Sequence, residues 1–313
     1  MIDWNRRSFV KTGALSALYL TIPPILPFGT MGSPEKDDSR FKISLAQWSL
    51  HRTIRSGALD HLEFAQTAAN DFGVYAIEYV NQFFPDKATD IAYLGEMNKR
   101  AEDHGVKQLL IMIDGEGGLA ETDDRVRKES VENHYKWVDA AKILGCHSIR
   151  VNAYSSSKDP IAAQIAAVDG LSTLATYAAP MGLNVIVENH GGFSSDGQWL
   201  SSIMKEINMP NCGTLPDFGN FCVQWDDNGC VIEYDRYKGV REMIPFAKAV
   251  SAKSHDFNVQ GDETHTDYKR MFKIIKHSDY NGYIGIEYEG SSLSEEEGIL
   301  RTKSLLEKMI SAL

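Results

Sequence analysis

The chain is poor in cysteine, in basic charge and in long apolar runs, and each shortage removes a class of function. Four cysteines in 313 residues, at positions 146, 212, 222 and 230, are too few for a disulfide scaffold and form no C-x-x-C zinc pattern. Cys222 and Cys230 are close enough in sequence to pair in an oxidising compartment, whereas Cys146 and Cys212 adjoin predicted strands and read as buried thiols. Lysine and arginine number 32 against 43 aspartates and glutamates, a formal net charge of −11. Such a surface repels nucleic acid and suits a neutral substrate better than a strongly anionic one. Past the N-terminal segment, no stretch is long and apolar enough to cross a bilayer. No G-x-G-x-x-G follows the first predicted strand, where Gln47-Trp48-Ser49-Leu50 stands instead, so a dinucleotide-binding open sheet is disfavoured.

The N-terminal segment is the exception to this plainness. Asn5-Arg6-Arg7-Ser8-Phe9-Val10-Lys11 precedes an uncharged stretch from Thr12 to Ser33, the pattern of a twin-arginine export signal. Prolines 23, 24 and 27 argue against a stable spanning helix, although an uncleaved signal would leave a membrane anchor. The expected organisation is a signal over 1–33, a polar linker over 34–40 and one catalytic domain over 41–313, exported through the twin-arginine machinery to the periplasm. Residues 1–32 carry Arg6, Arg7, Lys11 and Asp3, a net +2, so their removal takes the remainder from −11 to −13.

From residue 41 onward, short apolar runs alternate with longer amphipathic ones. Eight candidate strands emerge: 43–48, 76–80, 108–114, 148–152, 184–189, 213–217, 250–255 and 283–288. Helical periodicity fills the intervals at 59–72, 90–104, 124–144, 161–179 and 299–311. Gly73, Gly105, Gly145 and Gly182 each stand between a helix and the next strand, where a left-handed residue closes the helix. The pattern predicts an α/β protein, a single (β/α)8 TIM barrel.

Barrel enzymes place their chemistry at the C-terminal ends of the strands. Here those ends are crowded with acids: Glu78, Asp114, Glu188, Asp217 and Glu287, joined by Arg150 and Asn152 on strand four and by Lys253 and His255 on strand seven. Several buried carboxylates around one axis must protonate or share a cation. Glu188, Asp217, His255 and Glu287 would supply three oxygens and one nitrogen to one divalent metal ion, Mn2+ foremost, with Mg2+, Co2+ or Zn2+ also compatible. The competing explanation is that these acids open loops and cap the helices that follow. Glu78 and Arg150 are expected to pair inside the barrel, and Lys253 to pair with Asp217 or Glu287.

The phrases Val187-Glu188-Asn189-His190-Gly191-Gly192, Leu215-Pro216-Asp217-Phe218-Gly219-Asn220, Ala252-Lys253-Ser254-His255-Asp256-Phe257 and Ile284-Gly285-Ile286-Glu287-Tyr288-Glu289-Gly290 resemble the xylose isomerase-like TIM barrels of the sugar phosphate isomerase/epimerase superfamily. The twin-arginine leader is similar to those of its exported bacterial members. The resemblance implies that Glu188 and Glu287 are both metal ligands and proton carriers: one removes the proton next to the carbonyl of a keto-sugar, giving an enediolate, and the other returns it. His190, Lys253, Glu78, Asn152, Asn220 and Trp48 are the candidate substrate contacts. The chain departs from the epimerase pattern at Asn220, where a histidine is common, and in the framing of Ser251, Lys253 and His255.

No basic cluster accompanies Gly191-Gly192, which points to an unphosphorylated sugar. The expected function is therefore a metal-dependent sugar isomerase or epimerase, with oligomer formation left open. A lyase acting on an oxo-glycoside shares the first step and is the alternative; a non-catalytic carbohydrate-binding barrel is the alternative outside enzymology. A nuclease fits poorly with the acidic surface.

Overall fold

The computed structural model describes residues 40–313; the expected export signal and nearly all of the expected linker lie outside the described residues. Ten strands follow in chain order: β1 (Phe41–Ala46), β2 (Ala76–Val80), β3 (Lys107–Met112), β4 (Ser148–Val151), β5 (Asn184–Glu188), β6 (Cys212–Leu215), β7 (Cys222–Asp226), β8 (Gly229–Glu233), β9 (Val250–Ser254) and β10 (Gly282–Tyr288). Eight of them form one parallel sheet in the order β6-β5-β4-β3-β2-β1-β10-β9. Single parallel bridges, Thr214 to Ala247 and Asp217 to Ser251, bring the two edges together and close the barrel. The predicted α/β TIM barrel is the observed fold.

Each predicted strand is present, with ends displaced by at most two residues. The four punctuating glycines have φ of 59°, 64°, 69° and 72°, in the left-handed region that a Cβ disfavours. Aspartate starts most of the long helices: Asp90, Asp123, Asp159, Asp196, Asp235 and Asp267 each accept backbone N–H groups of the first turn. Each such cap is worth about 1 kcal/mol. These are the loop acids of the capping explanation, and they are different residues from the acids at the strand ends.

Side-chain alternation along the strands separates two buried layers. Leu45, Ile77, Ile111, Ile149, Val185, Val187, Ala252, Ile284 and Ile286 face the helices in one large apolar cluster. Ala46, Ala76, Val80, Leu110, Met112, Ile186, Leu215 and Ala249 form a smaller one inside the barrel. Strands β7 and β8 stand apart as an antiparallel hairpin between β6 and the helix Arg236–Met243, pinned by a Cys222–Cys230 disulfide. The hairpin was not anticipated. Among the described residues, no helix is long and apolar enough to span a membrane.

Candidate functional site

The same alternation that points Ile186 into the barrel points Glu188 there, at the last position of β5. Asp217 follows β6 by two residues, and Glu287 is on β10, two residues beyond the inward Gly285. One carboxylate oxygen from each of Glu188, Asp217 and Glu287 lies within 4.8 Å of the others, and all three side chains are buried. The structure thus brings together three of the four expected ligands.

His255 does not join them. It lies one residue beyond β9, its ring packs 5.2 Å from that of His265, and its backbone N–H donates to Glu263. The side chain that β9 does present to the acids at this depth is Ser251, whose hydroxyl donates to Asp217 Oδ2 at 2.6 Å and approaches Glu287 Oε2 at 3.2 Å. A two-residue periodicity identifies which side chains on β9 face inward, but not how far along the barrel axis each one sits.

Two buried cations lie beside the acids. Lys253 Nζ is 2.9 Å from Glu287 Oε1 and 3.0 Å from Glu289 Oε2. Burial alone would lower its pKa, and the surrounding carboxylates, Glu287 first, reverse that and hold it well above the ordinary lysine value. Arg150 donates from Nη1 to Asp114 Oδ1 at 2.7 Å, while its Nε lies 2.7 Å from Glu188 Oε2 without aiming an N–H along that line. The expected Arg150–Glu78 pair is not formed: Arg150 is in register with Met112 and Ile186, and its side chain reaches Asp114 just past β3 and Glu188 at the end of β5, one inward layer further along the axis, whereas Glu78, in register with Leu110, sits one layer deeper. There Ser44 Oγ donates to its Oε1 at 2.6 Å, its Oε2 has no partner, and burial followed by the charges of Glu287 and Glu188 raises its pKa to about 7 despite Ser44. The space opposite is tight: a Cβ on Gly285 would come 2.7 Å from Glu78 Oε1, so that carboxyl would have to shift.

The remaining candidates divide. Asn220 donates its amide to Glu188 Oε1 at 3.0 Å, and its backbone N–H, with that of Gly219, binds Asp217 Oδ1 at 2.8 Å. Asn152 holds Asp114 at 2.7 Å. The ring of His190 remains open to solvent, with its pKa lowered by partial desolvation and then by Arg150. Trp48 donates its indole N–H to Glu289 and stacks on His51. Two further aromatic residues do not join the site: Phe84 is buried edge-on against Trp137, and Trp225 is exposed on the hairpin. Ser251 and Glu289 were missed as site residues, although Glu289 occupies the next inward position after Glu287.

Charge decides what this cluster can hold. Glu188, Asp217, Glu287, Asp114 and Glu289 face two cations, each divided between two carboxylates. Among the described residues, Asp217 has hydrogen-bond donors but no ion-pair partner, and Glu188 Oε2 lacks any aimed donor. Burial, offset in part by Arg150 for Glu188 and by Lys253 for Asp217, together with mutual repulsion raises the pKa of both. A divalent cation fits this donor set, since it would satisfy the orphaned oxygen and let the acids stay ionised.

Residues 66–309 match the xylose isomerase-like TIM barrel family. The chain belongs to that family. A 2-oxo-tetronate isomerase from Pectobacterium atrosepticum is 22% identical over 241 residues, covering 73% of this chain and 87% of that one. Among solved structures, the IOLI protein with a bound zinc atom superimposes with a TM-score of 0.64 at 15% identity, covering 87% of this chain and 98% of that one. A D-tagatose 3-epimerase-like protein gives 0.62 at 17% identity, with 87% and 97% covered. At these identities the structural matches establish the fold alone.

Proposed function

We propose that this protein is a metal-dependent sugar isomerase or epimerase that moves a proton α to the carbonyl of an unphosphorylated keto-sugar, working in the periplasm after export. The observation that carries this reading is the convergence of Glu188, Asp217 and Glu287 at the barrel mouth, three buried carboxylates with too little positive charge to balance them. Glu188, Asp217 and Glu287 would hold the ion. When bound, it supplies Lewis-acid stabilisation to negative charge developing on substrate oxygens.

The rest belongs to the chain's own groups. Glu188 and Glu287 come from strands on different sides of the barrel axis, separated in the sheet by β4 to β1, so they can meet opposite faces of a flat enediolate. Asn220 binds Oε1 of Glu188 and Lys253 lies against Oε1 of Glu287, which positions both carboxylates. His190, Asn152 and Trp48 line the approach as candidates for substrate hydroxyls. Neither Arg150 nor Lys253 is left uncommitted for a phosphate, which supports a neutral sugar. The Cys222–Cys230 disulfide supports an oxidising compartment, in keeping with Arg6 and Arg7 as an export signal.

Proton NMR of a ketose panel in heavy water provides the test. Wild-type enzyme is expected to introduce deuterium at the carbon next to the carbonyl without cleavage, and Glu188→Gln and Glu287→Gln are each expected to abolish that exchange, while Asp217→Ala lowers bound metal. Near-normal exchange in both glutamine variants would refute the acid/base roles. Release of an aglycone from an oxo-glycoside would convert the assignment to a lyase.

A further inference from the structure

The donor atoms at the barrel mouth share one property that the function above does not require: those facing the shared space between Glu188, Asp217 and Glu287 are oxygen. Among the described residues, no imidazole or thiolate joins the three acids. Cys212 is packed against Met204, and Cys146 is buried with its pKa raised to about 12 by burial. His255 is turned toward His265. Lys253 Nζ is taken up by two glutamates, 2.9 Å from Glu287 Oε1 and 3.0 Å from Glu289 Oε2. On β9 the inward position level with Asp217 is Ser251, joined to it by the bridge that closes the barrel. Its hydroxyl lies 2.6 Å from Asp217 Oδ2 and 3.2 Å from Glu287 Oε2, between two of the three acids, and the residue is 1% exposed.

We propose that Ser251 supplies the fourth protein ligand through Oγ, making this an all-oxygen site tuned toward a hard divalent cation, Mn2+ or Mg2+, and away from Zn2+. The inference rests on the metal-dependent reading above and deepens it. Zinc gains most from imidazole and thiolate ligands, whereas carboxylates and hydroxyls suit Mg2+ and Mn2+. Without a nitrogen ligand, the ordinary advantage of Zn2+ over Mn2+ at a mixed site is reduced. The hydroxyl is well placed to serve in both states: it donates to Asp217 when no ion is present, and its lone pairs turn toward the ion when one is bound.

The test is equilibrium binding of MnCl2 and ZnCl2 to the metal-depleted full chain, by titration calorimetry and, for Mn2+, by electron paramagnetic resonance. Ser251→Ala is expected to weaken Mn2+ binding about tenfold, and Ser251→Thr, which keeps the hydroxyl, to stay within about threefold of wild type. Ser251→His is expected to raise the Zn2+/Mn2+ affinity ratio at least about tenfold. Circular dichroism checks that each variant is folded, and the Thr and His variants decide the matter if the Ala variant is not. Unchanged Mn2+ affinity in Ser251→Ala, or an unchanged Zn2+/Mn2+ ratio in Ser251→His, would overturn the assignment of Ser251 while leaving the metal site standing. Wild-type protein that binds neither ion at millimolar concentration, indistinguishable from Asp217→Ala, would overturn both.

Discussion

The layer between strands and helices and the upper interior of the barrel are buried to the same degree, yet one is built from Ile, Val, Leu, Ala and aromatics and the other holds Glu78, Arg150, Glu188, Asp217, Lys253 and Glu287. In the outer layer every contact repays the loss of chain freedom through apolar area removed from water. In the interior, charges have been dehydrated and compensate one another only in part. The outer layer therefore sets the stability, and the interior draws on it to keep acids poised for chemistry.

The largest expected effect that sharpens this contrast is in the outer layer. Trp137 is fully buried, packs edge-on against Phe84 at 5.3 Å and donates its indole N–H to Glu116 at 2.6 Å. Trp137→Ala is expected to cost about 3–5 kcal/mol of unfolding free energy by chemical denaturation. A cost below about 1 kcal/mol would show that this layer does not carry the stability.

How these layers divide also explains what was legible in the sequence. The outer layer writes itself as periodicity: apolar runs at strand spacing, amphipathic helices, and glycines 73, 105, 145 and 182 between them, so the barrel could be read before any side chain was placed. Glu188, Asp217 and Glu287 stood out because an acid at the end of an apolar run has no ordinary reason to be there. Ser251 did not, since a serine on a strand carries no such signature, whereas His255 drew attention by ending the predicted strand 250–255 with a side chain that is a familiar metal ligand. Depth along the barrel axis follows from the pairing of β9 with β10 and with the loop after β6, which a single sequence does not record. The hairpin did carry a signal, Asn228-Gly229 between short runs, but its strands are short and mostly exposed and their apolar residues do not alternate with polar ones, so no strand periodicity marked them.

A second, smaller effect sets the two layers against each other in pH. His61 belongs to the outer layer, stacked on Phe84 at 4.5 Å and hydrogen-bonded to Gln47 at 2.8 Å, and burial lowers its pKa to about 4 despite Asp60. Its contribution is complete above pH 6.5, the unfolded value, and is lost as pH falls through about 4, an upper limit of about 3 kcal/mol. Glu78, in the interior, has the opposite sign. Its folded pKa of about 7 exceeds the unfolded 4.5, so its contribution is complete below pH 4.5 and is lost as pH rises through about 7. In metal-free protein, Glu78→Gln is accordingly expected to be more stable than wild type at pH 8 by up to about 3 kcal/mol, with the difference vanishing below pH 4.5. His61→Phe is expected to flatten the acid limb between pH 6.5 and 4. Denaturation curves across pH 4–8 check both, and a Glu78→Gln difference that grew toward low pH would contradict the buried, proton-retaining carboxyl.

The smallest effect is expected outside both layers, in the hairpin. Its strands carry Trp225, Val231 and Ile232 on exposed positions, and no residue of either strand belongs to the two apolar clusters, although Cys222 is buried. A unit so lightly packed opens without unfolding the barrel, so the Cys222–Cys230 bond constrains the hairpin rather than the whole chain. Cys222→Ser with Cys230→Ser is expected to lower global stability by less than about 1 kcal/mol while making residues 222–233 the first site of proteolytic cleavage. The same pair reports on compartment: thiol titration of denatured protein should find 222 and 230 oxidised in exported material, and reduced when Arg6→Lys with Arg7→Lys retains the chain in the cytoplasm. Oxidised thiols in both fractions would detach the disulfide from export, and a global loss of several kcal/mol would show that the hairpin is part of the barrel's cooperative unit.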